Sequence, residues 1–204
     1  MMYNGEMLLD QLPLIPPGDR QVVETTEGAI SLEECDLLYG LAAQIATGCI
    51  VEIGSFRGKS TVALALGSMA GARVPVYAIE PHERFTGVLG GQFEPTDRTE
   101  FFKNMIRAEV AEIVRLVNLS SEVVTAGWSA PVGMLWIDGD HRYPAVKRDF
   151  DCWAPFLIPG AIVVFHDSLD PALGPAQVIA EAVRLHRFDK VLQLGLTTVL
   201  RRSS

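Results

Sequence analysis

The sequence has little cysteine, no long apolar run and no recognisable export segment. Its three cysteines, Cys35, Cys49 and Cys152, are odd in number and far apart, so no disulfide framework is predicted. Residues 1–10 lack a basic region followed by an apolar run, which makes the cytoplasm the expected compartment. The longest apolar runs fall far short of the about 20 residues that a membrane span requires, so we expect a soluble protein.

Positive charge is also scarce. The 204 residues carry a net charge of −8, and no basic stripe or basic amphipathic face is present, which argues against nucleic acid or an anionic membrane as the partner. A chain of this length that is 49% hydrophobic can bury a full core by itself, so residues 1–204 are predicted to form one domain. The expected partner is a small-molecule or oligosaccharide acceptor, and the sequence leaves a homodimer open.

Helical and strand patterns alternate along the chain, which predicts an α/β fold with a doubly wound, mostly parallel sheet. Residues 1–28, rich in proline near their end, are expected to form an irregular arm. The segment 82–98 is long and rich in glycine, proline and charge, which makes it a candidate substrate loop. The last two strands are expected to pair antiparallel. Helices are predicted at 31–46, 60–70, 99–111, 121–125, 143–157 and 175–187, and strands at 50–53, 74–79, 114–118, 134–137, 161–165, 191–194 and 197–200.

The first informative motif is a glycine turn at 54–58, between a buried strand and a helix start. A dinucleotide turn requires glycines where this chain has Phe56 and Lys59, so that interpretation is poor. A phosphate-binding P-loop requires four residues before Gly58, and only three separate it from Gly54. The third form, an acid followed by x-Gly-x-x-x-Gly, fits without gaps when the acid is Glu52.

This third form resembles the first motif of the class I methyltransferases that use S-adenosylmethionine. That cofactor has no phosphate, and Glu52 suits its sulfonium and ammonium groups better than a pyrophosphate. Glu80, at the end of the next strand, is predicted to accept hydrogen bonds from the ribose hydroxyls. Ser120 lies at the sheet edge where the adenine could rest. The predicted cofactor-binding residues are Glu52, Gly54, Ser55, Phe56, Gly58, Ser60, Glu80, Ser120 and Asp138.

The second informative motif is a set of acids and histidines after two further strands. Asp138, Asp140 and His141 follow one strand, and His166 and Asp167 follow the next. The carboxyl ends of neighbouring parallel strands lie about 5 Å apart, so Asp138, His166 and Asp167 should converge beside the glycine turn. Carboxylates favour Mg²⁺, whereas an imidazole suits Mn²⁺ or another divalent ion, so His166 is either a ligand or a support for Asp167.

These two segments, Ile-Asp-Gly-Asp-His and Pro-Gly-Ala-Ile-Val-Val-Phe-His-Asp, resemble those of the macrocin O-methyltransferase group of magnesium-dependent sugar O-methyltransferases. The resemblance implies that Asp138, His166 and Asp167 hold the metal, which binds two neighbouring sugar hydroxyls. It also implies that Asp140 or His141 takes the proton. The departure is His166, where several relatives carry aspartate. The compact length and the His-Asp pair also resemble mycobacterial enzymes that methylate the 1-hydroxyl of 3-O-methylmannosides in methylmannose polysaccharide synthesis.

The predicted function is therefore metal-assisted methylation of a sugar hydroxyl. Of the two candidate bases, His141 has the more suitable reference pKa. A catechol-type or other small-molecule acceptor is the alternative, because an aromatic diol would use the same metal and cofactor. A P-loop phosphotransferase built on residues 58–60 and a cofactor-binding module without catalysis are the remaining hypotheses.

Overall fold

A computed structural model of the chain describes residues 11–185 and 187–203. The prediction that residues 1–10 hold no export signal lies outside these ranges. His186, predicted to lie on the surface of the last helix, is outside them as well. The helices are α1 Pro17–Thr25, α2 Leu32–Ala43, α3 Lys59–Ala70, α4 Asp97–Arg107, α5 Ser121–Thr125, α6 Tyr143–Trp153 and α7 Gly174–Arg184. The strands are β1 Cys49–Ile53, β2 Val76–Ile79, β3 Phe85–Thr86, β4 Gln92–Phe93, β5 Val114–Val117, β6 Val132–Ile137, β7 Leu157–Phe165, β8 Phe188–Leu194 and β9 Thr197–Arg202.

Seven of these strands form one sheet in the order β5-β2-β1-β6-β7-β9-β8. The first five are parallel to one another, and β9 pairs antiparallel with both β7 and β8. The chain order reverses direction beside β1, where strands β2 and β6 flank it, and such a switch point is where open α/β sheets bind ligands. The predicted doubly wound fold with a terminal antiparallel strand is confirmed.

The register of the three central strands determines where the site lies. Ile53 pairs with Ile137, and Ile137 pairs with Phe165, so β1, β6 and β7 end at one level. The Asp138 amide donates to the Ile53 carbonyl at 2.8 Å, and the His166 amide donates to the Ile137 carbonyl at 3.1 Å. The residues that follow these strands are therefore neighbours across the sheet edge.

Both faces of the sheet are covered. One buried core contains Ile50 of β1 and the inner faces of α1 to α4, and the other contains Val51 and Ile53 with the inner faces of α6 and α7. This division follows from the alternation of side chains along a strand. Glu52 consequently points to the same face as Ile50, toward α3.

Several predicted boundaries differ in the structure; among them, α2 ends at Ala43 rather than at 46, and β8 begins at Phe188 rather than at 191. The proline-rich arm is not irregular throughout, because residues 17–25 form α1, with Pro17 at the first helical position and Val23 fully buried. The helix predicted at 99–111 begins earlier, at Asp97, and ends at Arg107.

The helix predicted at 143–157 ends at Trp153 and is followed by a 3-10 turn at Ala154–Phe156. Pro159 and Gly160, which in the sequence are a signal for the end of a helix, do not end this one. They lie inside β7, at a bulge where the pairing with β6 shifts register. A bulge accommodates proline because the residue there does not need to donate a backbone hydrogen bond. Within the described residues, no helix combines the length and apolar character that crossing a membrane requires.

Candidate active site

The glycine turn follows β1 and leads into α3. Gly54 has φ +82°, and a Cβ built on it would lie 2.3 Å from the Asp138 carbonyl oxygen, so only glycine lets these two strand ends approach. Gly58 was predicted to contact the cofactor, but it lines neither cavity of the site. A Cβ there would lie 2.6 Å from the Met105 side chain, so Gly58 allows the turn to pack against α4.

Glu80 holds the turn from the end of β2. One carboxylate oxygen accepts from the amides of Ser55 and Phe56 at 3.2 and 3.3 Å, and the other accepts from the His82 amide at 2.9 Å. The same carboxylate lines the first cavity. Glu80 therefore borders the first cavity and stabilises the backbone of the turn; its contact with a ribose remains a prediction.

Glu52 does not lie where the motif predicted. Its side chain is fully buried beneath the turn, accepts hydrogen bonds from the hydroxyls of Ser60 and Thr61, and lines neither cavity. Burial raises its pKa to about 8, against the opposing hydrogen bonds from the two hydroxyls. A contact between Glu52 and the cofactor is therefore not supported; the residue ties β1 to the start of α3.

Two cavities of similar size, about 290 and 280 Å³, meet at the turn. The first extends over Glu80, Ser120 and Asp149, and the second extends over Ser60 and Asp167. The wall between them is common to both. Its residues are Gly54, Phe56, Phe85, Phe93, Asp138 and Gly139.

The segment 82–98 contributes aromatic side chains to this wall. It folds into the hairpin of β3 and β4, in which Phe85 pairs with Phe93, and the Phe93 ring meets Phe56 edge-on at 5.3 Å. The Arg142 guanidinium lies 5.5 Å from the Phe85 ring centre and connects the hairpin to the loop after β6. The predicted loop thus borders the cleft; its role in substrate binding remains a prediction.

Four side chains from the ends of β6 and β7 converge at the wall of the second cavity. Asp138, His141, His166 and Asp167 each offer a ligand atom, and these atoms all lie within 4.8 Å of one another. His166 Nδ1 is 3.1 Å from Asp138 Oδ1 and 3.4 Å from Asp167 Oδ2. His141 Nε2 is 3.4 and 3.3 Å from the same two oxygens. The predicted convergence of Asp138, His166 and Asp167 is confirmed, and His141 joins it.

The electrostatics of this cluster suit a divalent cation. Burial raises the pKa of Asp138, but the charge of His166 and contacts with both histidines outweigh it and lower that pKa overall. Burial lowers the pKa of His166, whereas the neighbouring carboxylates, led by Asp138, raise it to about 12. The positive charge of protonated His166 therefore balances the negative charge of the neighbouring carboxylates. A bound cation would supply this positive charge instead, and His166 would release its proton.

The donor set fits such an ion. Two carboxylates supply hard oxygen ligands, and two imidazoles supply nitrogens, a mixture that Mn²⁺ accepts well and Mg²⁺ accepts through the oxygens. His141 Nε2 is buried without a hydrogen-bond partner among the residues described, which leaves it free to ligate or to take a proton. The residues present thus match the metal that the sequence predicted.

Asp140 differs from its neighbour His141. Its carboxylate accepts two hydrogen bonds from the Arg142 side chain at 3.0 Å and lies outside the cluster, although it borders the first cavity. His141 lines the second cavity. Of the two predicted bases, His141 is the one that the fold brings into the cluster.

Two residues at the site, Asp149 and Glu34, were not predicted from the sequence. Asp149 lines the first cavity from α6, and burial raises its pKa to about 6. Its position on the buried side of that helix, beside Ala145 and Val146, is a signal that could have identified it. Glu34, placed only in the first predicted helix, lies 3.6 Å from His166.

The fold and the cluster together define a class I methyltransferase architecture, and comparison with known proteins identifies the family. Residues 51–168 match the model of the methyltransferase-domain family Methyltransf_24, so the chain belongs to that family. A short local match, 49% identical over 37 residues, links it to an uncharacterised protein, y4gI, of Sinorhizobium fredii. That match covers 18% of this chain and only 4% of the larger protein.

Solved structures share the fold at low sequence identity. An O-methyltransferase from Bacillus cereus in complex with SAH is 17% identical, with a TM-score of 0.71 over 98% of this chain and 96% of that one. TomG, an O-methyltransferase from Streptomyces achromogenes involved in tomaymycin synthesis and solved with SAM, is 18% identical, with a TM-score of 0.66 over 100% and 97%. The SAH-bound methyltransferase PaMTH1 from Podospora anserina is 13% identical, with a TM-score of 0.66 over 100% and 98%.

Proposed function

We propose that this protein transfers a methyl group from S-adenosylmethionine to a hydroxyl oxygen of a small acceptor, with a divalent cation at the acceptor side. One observation carries the proposal. The wall shared by the two cavities contains both the glycine turn and Asp138, so a cofactor in the first cavity would face an acceptor held at the cluster.

On the cofactor side, the chain offers main-chain groups of the turn and several carboxylates, among them that of Glu80. S-Adenosylmethionine supplies an already activated methyl group, so binding and alignment are the main tasks of the protein. Glu80 is available to the ribose, Ser120 and Asp149 border the region expected for the adenine, and the turn at Gly54 permits close approach. The fold relatives solved with SAM or SAH support this choice of cofactor.

On the acceptor side, Asp138, His166 and Asp167 would hold the cation, which stabilises negative charge on the acceptor oxygen. His141 is proposed as the base, because its buried Nε2 lies among these ligands without a hydrogen-bond partner in the described ranges. It would accept the hydroxyl proton as the methyl is transferred. The hairpin that carries Phe85 and Phe93 would shield this step from water.

The proposed acceptor class is a vicinal diol. Two adjacent hydroxyls match a cation that retains open positions, and a saccharide such as a 3-O-methylmannoside is the acceptor that the sequence motifs favour. An aromatic diol is the second candidate. It is favoured by the three phenylalanines of the shared wall, Phe56, Phe85 and Phe93, which offer edges and faces to an aromatic ring.

A methyl-transfer assay tests both parts of the proposal. Labelled S-adenosylmethionine would be supplied with mannosides, other sugars and catechols, each with Mg²⁺, with Mn²⁺ and with EDTA. We expect transfer to at least one diol, which EDTA abolishes and added cation restores. Stabilisation of the protein against heat by ATP and Mg²⁺, but not by S-adenosylhomocysteine, would overturn the assignment. Transfer that EDTA leaves unchanged would remove the metal from it.

A further inference from the structure

Glu34 occupies an unusual position for a helix-capping residue. It is the third residue of α2 and closes a capping box, in which one of its carboxylate oxygens accepts from the Ser31 amide at 3.0 Å. Capping residues commonly face solvent, and its neighbour Glu33 does. The Glu34 side chain is only 5% exposed. Burying a carboxylate is costly unless charged or hydrogen-bonding partners compensate, so its surroundings require an explanation.

The second carboxylate oxygen of Glu34 points toward the candidate metal site. It accepts from the Leu196 amide at 3.0 Å and from the Thr197 hydroxyl at 2.9 Å, which ties α2 to the turn between β8 and β9. The same oxygen lies 3.6 Å from His166 Nε2, a buried nitrogen that has no hydrogen-bond partner among the described residues. The amide of Leu196 and the hydroxyl of Thr197 thus hold the Glu34 oxygen beside this nitrogen.

The two nitrogens of His166 face different partners. Nδ1 lies 3.1 Å from Asp138 and 3.4 Å from Asp167, whereas Nε2 faces Glu34. His166 is only 3% exposed, and the centre of its ring lies 5.6 Å from the centre of the Trp136 ring. Such close packing leaves the imidazole little freedom to rotate by 180°. Only Nδ1 is therefore directed at the other ligand atoms of the cluster.

We propose that Glu34 is a positioning residue for the cation site: it keeps the hydrogen on His166 Nε2, so that Nδ1 is the nitrogen presented to the ion. This inference rests on the proposed function, since it assumes that a divalent cation binds at the cluster. Carboxylates that accept from the distal nitrogen of a ligating histidine orient the ring and raise its basicity, and their loss weakens metal binding about 10- to 100-fold.

Glu34→Gln is the informative substitution. Glutamine keeps the length of the side chain and is also found in capping boxes. The glutamate has two acceptor oxygens, one for Ser31 and one for Leu196 and Thr197, whereas glutamine has a single carbonyl oxygen. One of these two sets of donors therefore loses its acceptor in the variant. Glu33→Gln on the exposed face of the same turn is the matched control.

Mn²⁺ binding to the full-length protein, followed by electron paramagnetic resonance, is the primary measurement. We expect the Kd for Mn²⁺ to rise about 10- to 100-fold in Glu34→Gln and to change less than about twofold in Glu33→Gln. Equal affinities in the wild type and Glu34→Gln would contradict the role of Glu34. Absence of Mn²⁺ binding in the wild type would instead contradict the proposed function, so the two failures can be told apart.

A second measurement needs no variant and remains decisive if Glu34→Gln does not fold. Nitrogen-15 spectra of the wild-type histidines, recorded with and without Zn²⁺, a diamagnetic ion that binds imidazole nitrogens, report which ring nitrogen carries the hydrogen. We expect His166 in the Zn²⁺-loaded protein to keep its hydrogen on Nε2 and to lose the one on Nδ1. A hydrogen on Nδ1 in the loaded protein would overturn the inference.

Discussion

Glu52 and Asp138 stand at the ends of neighbouring strands, yet their surroundings drive their pKa values in opposite directions. Glu52 is fully buried, meets only the hydroxyls of Ser60 and Thr61, and has its pKa raised to about 8. Asp138 meets two histidines, which outweigh its burial and lower its pKa. An acid at the end of a strand is therefore kept charged where cationic partners reach it, and is driven toward its neutral form where burial dominates.

The same contrast extends to the two halves of the site. The proposed cofactor half, around 54–58, is built mainly from backbone groups of a tight turn. The proposed acceptor half is built from charged side chains that are close only because β6 and β7 are adjacent. The first half should therefore be most sensitive to an added Cβ, and the second to a change in charge.

The largest effect is expected for Asp167→Asn, which removes a charge from the acceptor half alone. Asn tolerates the positive φ of +45° at this position, so the backbone should remain intact. Loss of the cation should lower kcat/KM about 1,000-fold, corresponding to several kcal/mol of transition-state stabilisation. The affinity for S-adenosylhomocysteine should stay within about twofold, as measured by calorimetry. Asp170→Asn, on an exposed residue nearby, is the control and should leave both quantities unchanged.

Gly54→Ala tests the cofactor half by adding a single methyl group. The new Cβ would meet the Asp138 carbonyl at 2.3 Å in a backbone conformation that disfavours alanine. Strain and overpacking together should lower the free energy of unfolding by about 3–5 kcal/mol, as measured in urea. Gly90→Ala separates the two contributions. Gly90 has φ +89° with open space around it, so it should lose only about 1–2 kcal/mol. Equal losses in both variants would contradict the close approach at Gly54.

Glu80→Gln should weaken the cofactor half without affecting the cation. The backbone amides of Ser55 and Phe56 donate to the Glu80 carboxylate, and the glutamine side chain replaces this charged acceptor with a neutral one. A charge-assisted hydrogen bond contributes about 1.5–3 kcal/mol, so the Kd for S-adenosylhomocysteine should rise about 10- to 100-fold. Mn²⁺ affinity should be retained. Glu83→Gln, on an exposed residue that also borders the first cavity, should change neither. A parallel loss of Mn²⁺ affinity in Glu80→Gln would mean that the two halves are not independent.

The smallest effect, counted per pH unit, is a change in how stability depends on pH. Glu52 has a pKa of about 8 in the folded protein, against about 4.3 in an unfolded chain. Between these values the folded state holds a proton that the unfolded state has released. The stabilisation from Glu52 is therefore complete below about pH 4 and is lost as the pH rises through about 8, at up to about 1.4 kcal/mol per pH unit.

Glu52→Gln should remove this contribution, because glutamine does not titrate. Unfolding free energies measured in urea between pH 5 and pH 9 should therefore fall less steeply with pH in the variant than in the wild type. An unchanged slope would show that Glu52 is ionised in the folded protein.

Much of the fold was predictable, because it depends on local pattern. The helix start at Ser31, the short helix at 121–125 and the antiparallel pair at the end of the chain are all confirmed. The errors fall where distant packing overrides a local signal. Pro159 reads as a helix stop in sequence, but a bulge in β7 accommodates it.

The candidate site divides in the same way. The convergence of Asp138 with His166 was predictable, because parallel strands align their carboxyl ends. The burial of Glu52 was missed, because the motif does not say which sheet face its acid occupies. Glu34 was missed because its partners, Leu196 and Thr197, are more than 160 positions away.

The class of sheet, the glycine turn and the acids and histidines that follow β6 and β7 could all be derived from the sequence. These features depend on residue type, spacing and strand periodicity, which act over a few residues. Three features became visible only in the folded chain: Glu52 lies under the turn, His141 rather than Asp140 joins the cluster, and Glu34 faces His166. Such choices depend on which side chains meet across elements far apart in the chain, where packing and desolvation determine the partner of each charge.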